Sequence, residues 1–191
     1  MPLIDPFSSI TTALAKGRII PDVLGQFQPT AFLSIVLPSG PAAIGAEVAL
    51  SESETIKAAP SDEDVGADGL VKNEARCTLA MLDPDAPSAA QPTSSQFRHW
   101  VREPNAEFAG PAVQTTTAAN TYRPPGPPKG SGLHRYTFIL FREPPNFSLP
   151  EGASELNDNV EARRRWDAVK FGERNGLQIV GATYYLVRSE D

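Results

Sequence analysis

The chain has one cysteine and two histidines in 191 residues, and each scarcity excludes something. Cys77 has no partner for an internal disulfide. Its place in Cys77-Thr78-Leu79-Ala80-Met81, with the long apolar residues two apart, reads as a small buried hydrophobe rather than a reactive thiol. A reducing compartment is therefore expected. With only His99 and His134 to draw on, the spacing H-x-x-x-H is absent and no facial-triad pattern is visible, so no metal site and no cofactor are predicted. Basic residues are also in deficit: 17 Lys and Arg against 23 Asp and Glu leave a net charge of −6, which argues against a nucleic-acid partner. No apolar stretch is long enough to span a bilayer, so no transmembrane segment is expected. The start Met1-Pro2-Leu3-Ile4-Asp5 lacks the early positive charge of a signal peptide, and a soluble cytoplasmic protein is the expectation.

Proline is what the chain has in excess. Its 19 prolines are about twice the usual share, scattered along the chain and clustered at Pro124, Pro125, Pro127 and Pro128. That pattern points to many turns around short strands, hence a mainly β protein with shaped loops. Ser8 or Ser9 is placed to cap a short helix carrying Ile10, Ala13 and Leu14 and ending at Gly17. Residues 1–20 then read as an N-terminal appendage and residues 21–191 as one domain. Strands are expected over Ala31 to Leu37, Ala46 to Leu50, Ala75 to Asp83, Arg98 to Arg102, His134 to Arg142 and Leu177 to Val187. The polar stretch from Ser51 to Asn73 reads as one long surface loop, and Arg163-Arg164-Arg165 as a solvated approach to a helix. That helix, Ala168 to Asn175, carries consistent signals: Asp167 as N-cap, Trp166 and Phe171 as a hydrophobic staple, Gly176 after its end. Strands first and one late helix favour an antiparallel assembly over βαβ units.

The scarce histidines sit in motif-like company. His99 lies in Phe97-Arg98-His99-Trp100, where alternation would put it on the same face as Val101; His134 opens a strand directly after a Pro/Gly loop. Asp83-Pro84-Asp85-Ala86-Pro87 ends an apolar strand, with the two carboxylates spaced to point one way along an extended backbone. Taken singly, each has a structural reading: aspartates bonding nearby N–H groups in a turn, or hydrogen-bonded imidazoles at a core edge. Taken together, two carboxylates and two imidazoles would make a small anion pocket, the carboxylates favouring imidazolium and fixing each tautomer. The same four groups are chemically able to ligate a metal, although no signature spacing supports it. Nucleophilic catalysis is disfavoured because neither Ser88 nor Ser131 lies in a G-x-S-x-G elbow. Gly130-Ser131-Gly132 is not followed by a helix start, so no nucleotide site is read there.

These same residues resemble the signature of the phosphatidylethanolamine-binding protein family, which includes the Raf kinase inhibitor proteins. Asp83-Pro84-Asp85-Ala86-Pro87-Ser88 is similar to its D-P-D-A-P-S, and Gly126-Pro127-Pro128-Lys129-Gly130-Ser131-Gly132-Leu133-His134-Arg135-Tyr136 to its G-P-P-K-G-T-G-x-H-R-Y. The resemblance runs from about Pro21 to Val187, and the N-terminal and C-terminal segments look most like the fungal carboxypeptidase Y inhibitor-like branch. It implies an antiparallel Greek-key β-sandwich with a few short peripheral helices. It also implies an anion pocket built from Asp83, Asp85, Pro87, Phe97, His99, Gly126, Pro127, His134 and Tyr136, with Ala86-Pro87 in the cis form. The ligand would be a phosphate-bearing small molecule or a phospholipid headgroup, the protein partner a protease or a kinase, and the role regulatory rather than catalytic. In the inhibitor branch the segment Pro2 to Ala15 would insert into a peptidase cleft. The alternative implied by fungal relatives is an enzyme joining anhydride-type monomers with the same His/Asp pocket. Two stretches depart from the family pattern: the polar Val101-Arg102-Glu103-Pro104 after His99-Trp100, and the acidic loop from Ser51 to Asn73.

Overall fold

The computed structural model describes residues 7–60, 76–101, 113–114 and 119–191. Within them the chain runs through α1 (Ser8–Lys16), α2 (Ile19–Asp22), β1 (Leu33–Leu37), β2 (Gly40–Pro41), β3 (Glu47–Val48), β4 (Lys57–Pro60), β5 (Cys77–Asp83) and β6 (Phe97–Val101). It continues through β7 (Val113–Gln114), β8 (Leu133–Arg142), α3 (Val160–Arg163), α4 (Ala168–Asn175) and β9 (Gln178–Arg188), with short 3₁₀ turns at Leu50–Ser53 and Ser154–Leu156. One sheet has the order β2-β1-β4-β7 and the other β3-β9-β8-β5-β6. Pairing is antiparallel apart from the edge pair β3 and β9, which is parallel.

Alternation in β8 explains the layering. Tyr136, Phe138 and Leu140 face Leu33, Ile35 and Ala58 of the smaller sheet, while Ile139 and Phe141 face Leu14, Ile19, Trp166 and Phe171 from the helical segments. The larger sheet is thus covered on both sides, and all seven residues of β5 are buried. Each large apolar side chain so enclosed contributes about 1.5–3 kcal/mol. The product is a mostly β fold with a few short helices, and it leaves the ends of β5, β6 and β8 together at one end of the larger sheet.

Several expectations are met residue by residue. The Asp167 side chain accepts from the Lys170 N–H at 2.9 Å, the Trp166 and Phe171 rings stand 5.1 Å apart, and Gly176 closes α4 with φ of 64°. Cys77 is buried. Others are corrected. Neither Ser8 nor Ser9 caps α1: Phe7 occupies the N-cap position with no side-chain bond, and Ser8 is already helical. The strand expected over Ala46 to Leu50 is two residues long, because the chain tightens at once into a 3₁₀ turn. The stretch read as loop contains β4, whose Lys57-Ala58-Ala59-Pro60 has too few large apolar residues to show a period yet pairs with β1 through its backbone. Arg163 is buried rather than solvated, and Arg102, the expected last residue of the His99 strand, lies outside the described residues, as does most of the acidic stretch.

The segment expected as an N-terminal appendage contributes Leu14, Ile19 and Ile20 to the core beneath the larger sheet. The approach is close: a β-carbon on Gly17 would overlap the Tyr184 ring of β9. Leu14 is fully enclosed. Leu14→Ala should therefore lower the unfolding free energy by about 3 kcal/mol, measured by urea denaturation; a change below about 1 kcal/mol would mean that α1 does not belong to the cooperative core.

Candidate functional site

At that end of the sheet lies a cavity of about 540 Å³. Asp83, the last residue of β5, continues the face of Cys77, Leu79 and Met81, so its carboxylate is carried to the cavity floor by strand geometry alone. Its Oδ2 accepts from His134 Nδ1–H at 2.7 Å and its Oδ1 from the Asp85 N–H at 2.8 Å. Both side chains are almost wholly enclosed. His134, near the start of β8, also lines the cavity, and its Nε2 lies 2.9 Å from Ser131 Oγ.

Ser131, His134 and Asp83 therefore have the atom order of a serine-hydrolase triad, but not its working geometry. The one Ser131 hydroxyl proton has two acceptors in reach, the Pro128 carbonyl and His134 Nε2, and Ser131 is not among the residues lining the cavity. The chain of bonds instead ties the Pro/Gly loop to β8 and β5.

Asp85 does not join the pocket. Residues after Asp83 turn, so the extended spacing that would align the two carboxylates ends there, and Asp85 grips Arg135 instead. Its Oδ2 accepts from Arg135 Nε at 2.9 Å and from the Arg135 N–H at 2.9 Å, and its Oδ1 accepts from Nη2 at 2.6 Å. Arg135 Nη1 continues to Asp22 Oδ2 at 2.8 Å and to the carbonyls of Gly17 and Arg18. These bonds, Asp85 first, raise the Arg135 pKa above its ordinary value and make the charge permanent. Pro127 also falls outside the cavity lining, whereas Pro87, Phe97, His99, Gly126 and Tyr136 line it with Asp83 and His134. The Ala86-Pro87 peptide is cis.

His99 reaches the cavity by a register shift. β5 pairs Met81 with Trp100 and Leu82 with Arg98, which leaves His99 as an extra residue with no partner across the ladder. The bulge resets the alternation. His99 and Val101 consequently do not share a face: the imidazole packs edge-on against Tyr136 with ring centroids 5.1 Å apart, while Val101 joins the opposite core. His99 Nδ1–H donates to the Arg123 carbonyl at 2.7 Å, so in the neutral ring Nε2 carries the lone pair. Burial pushes the His99 pKa down to about 4, with the nearby Asp83 charge opposing it only in part. Expected as a cationic donor, His99 is an uncharged acceptor at neutral pH. Tyr136 supplies a donor: its hydroxyl accepts from the Gly126 N–H at 3.3 Å, and burial raises its pKa, keeping the phenolic proton in place.

The cations that residue patterning missed are arginines. Arg123 and Arg164 both line the cavity, Arg123 with its guanidinium carbon 5.8 Å from the Phe97 ring centroid. Arg123 precedes the proline cluster directly, a legible signal; Arg164 was hidden in a basic run that reads as solvated. Between them Arg163 is the anchor, donating to the carbonyls of His99 at 2.7 Å and Thr121 at 2.7 Å and to Asp158 Oδ1 at 2.8 Å. Among the described residues no group of three or more His, Cys, Asp or Glu could hold a metal ion, and no helix is long and apolar enough to cross a membrane.

Residues 50–184 match the family model described as phosphatidylethanolamine-binding protein. The chain belongs to that family. An uncharacterized protein of Saccharomyces cerevisiae is 29% identical over 198 residues, spanning 95% of this chain and 94% of that protein. The carboxypeptidase Y inhibitor of the same yeast is 30% identical over 135 residues, 59% of each chain. Among solved structures, carboxypeptidase Y inhibitor complexed with its cognate proteinase superposes with a TM-score of 0.76 at 24% identity, covering 98% of both chains. The phosphatidylethanolamine-binding protein of Plasmodium vivax does so with 0.69 at 21% identity, covering 94% of this chain and 97% of that one. These likenesses establish the family and the fold.

The neutral state of His99 is open to direct measurement. Its pKa in the fold, about 4, lies below the ordinary histidine value of 6.5, so the unfolded chain takes up a proton that the folded chain refuses. The associated stability is complete above pH ~6.5 and falls as pH drops toward ~4, by roughly 3 kcal/mol in all. An imidazole NMR titration should show His99 with a midpoint near 4; a midpoint at or above the ordinary value would refute the neutral assignment.

Proposed function

We propose that this chain is a non-catalytic anion-binding regulatory protein, whose pocket takes a phosphate-bearing small molecule or phospholipid headgroup and whose surface inhibits a serine carboxypeptidase. The observation that carries the anion reading is that Arg123, Arg164 and Tyr136 line one cavity together with the buried Asp83–His134 pair. Guanidinium groups match phosphate oxygens in charge and fork geometry. The regulatory reading draws on Ser131, the serine bonded to His134, being absent from the cavity lining. The protease partner draws on the yeast relative named as a carboxypeptidase Y inhibitor.

Calorimetric titration with inorganic phosphate tests the pocket. Wild type should release or absorb measurable heat, and Tyr136→Phe, which deletes one donor, should bind roughly fivefold more weakly. Absence of heat from wild type would end the anion reading. Separately, carboxypeptidase Y incubated with a stoichiometric amount of this protein should lose peptidase activity; undiminished activity would remove the protease partner and leave the pocket claim standing.

A further inference from the structure

We propose that Arg135 is a positioning residue that couples the seating of α1 and α2 on the larger sheet to the order of the pocket floor, so that each favours the other. This coupling lies in the protein's own bonds and does not depend on what the pocket takes. Asp85 is where it starts: it belongs to the same D-P-D turn as Asp83, yet it does not line the cavity. Consecutive residues of β8 point to opposite faces of the larger sheet. His134 therefore reaches Asp83 on the cavity side, while Arg135 emerges on the side covered by the helical segments and meets both Asp85 and Asp22 there. Floor and N-terminal anchor are thus built from adjacent residues.

The guanidinium is gripped on two edges. Nε and Nη2 hold the Asp85 carboxylate, whose own N–H is bonded to Asp83 Oδ1 at 2.8 Å. Nη1 holds Asp22 Oδ2 at 2.8 Å and the carbonyls of Gly17 and Arg18, each at 3.2 Å. A planar, rigid group held on both edges is fixed in orientation; held on one edge, it pivots. Lifting α1 and α2 off the sheet takes all three acceptors from Nη1 and leaves the guanidinium on Asp85 alone. Asp85 can then move with it, and Ala86 and Pro87, the residues that follow, line the cavity. The route is a contiguous chain of bonds from Asp22 to Asp83, through Arg135 and Asp85. By linkage the effect runs both ways: an occupant that needs that wall in place holds the segment down, and a partner that draws the segment away loosens the wall.

Asp22→Ala cuts the chain at its far end, since Asp22 touches neither the cavity nor Asp85. Native-state hydrogen exchange followed by NMR reads the floor at two amides, the Asp85 N–H on Asp83 Oδ1 and the Arg135 N–H on Asp85 Oδ2. Both should exchange about fivefold faster in Asp22→Ala than in wild type. The Phe171 N–H of α4, bonded to the Asp167 carbonyl, serves as the reference for global opening, and the fivefold change is taken relative to it. Arg135→Lys, which keeps the charge but not the fork, should accelerate the same two amides at least as much. Thr12→Ala, at an exposed position of α1 outside the chain of bonds, should change neither. In calorimetry with inorganic phosphate, Asp22→Ala should bind about threefold more weakly than wild type and Thr12→Ala equally well. Unchanged exchange at Asp85 and Arg135, or unchanged phosphate affinity in Asp22→Ala, would overturn the coupling and leave the anion pocket standing. Failure of wild type to bind phosphate would end the anion reading, and the exchange rates would still decide the coupling.

Discussion

Burying a carboxylate at the end of a central strand is costly unless the lone pairs it brings are used, and at Asp83 both oxygens are bonded inside the protein. One draws in the imidazole at the start of β8, the other the backbone of the turn that follows β5. Each bond fixes a different segment, and His134 passes the constraint to Ser131 and so to the Pro/Gly loop. Removing either member of such a buried pair leaves the other uncompensated, a loss of about 3–5 kcal/mol. The pocket floor is therefore as rigid as the sheet, because it is made of strand ends held by charge-assisted bonds.

The walls follow a second rule, in which buried guanidiniums bond to carbonyls. Arg98 is fully enclosed and donates through Nη2 to the carbonyls of Ser154 at 2.7 Å and Asn157 at 3.0 Å; burial lowers its pKa to about 10, still charged at neutral pH. Arg163 does the same for His99 and Thr121. Irregular backbone next to a site would otherwise bring unpaired carbonyls into the interior. Two other arginines, Arg123 and Arg164, line the cavity itself.

What the sequence discloses and what it hides follow from the range of the forces involved. β8 is legible because seven of its ten alternating residues are buried, on both faces, and α4 because its cap, staple and terminal glycine are local signals. The D-P-D turn and the G-P-P-K-G-S-G loop are legible as motifs, and seven of the nine residues read from them and from the β6 segment line one cavity. Asp85 departs because its partner is Arg135, 50 positions away, a contact no local pattern encodes. β4 stays hidden because its pairing is a backbone affair with β1. Chemical type alone assigns cationic character to the histidines, whereas burial, a property of the fold, neutralises His99, and two arginines that no motif marks line the same cavity.

The bulge in β6 has a consequence for how the site can vary. His99 enters the cavity because one strand holds a residue more than its partner across the same span, so its position depends on a count rather than on an attraction. Exchanging side chains along β6 would leave that count intact. Deleting a single residue between Phe97 and Val101 would erase the surplus and oblige the ladder to choose between its pairing and its imidazole. In this strand length itself is a functional property: the site tolerates edits to its letters far better than edits to its spacing.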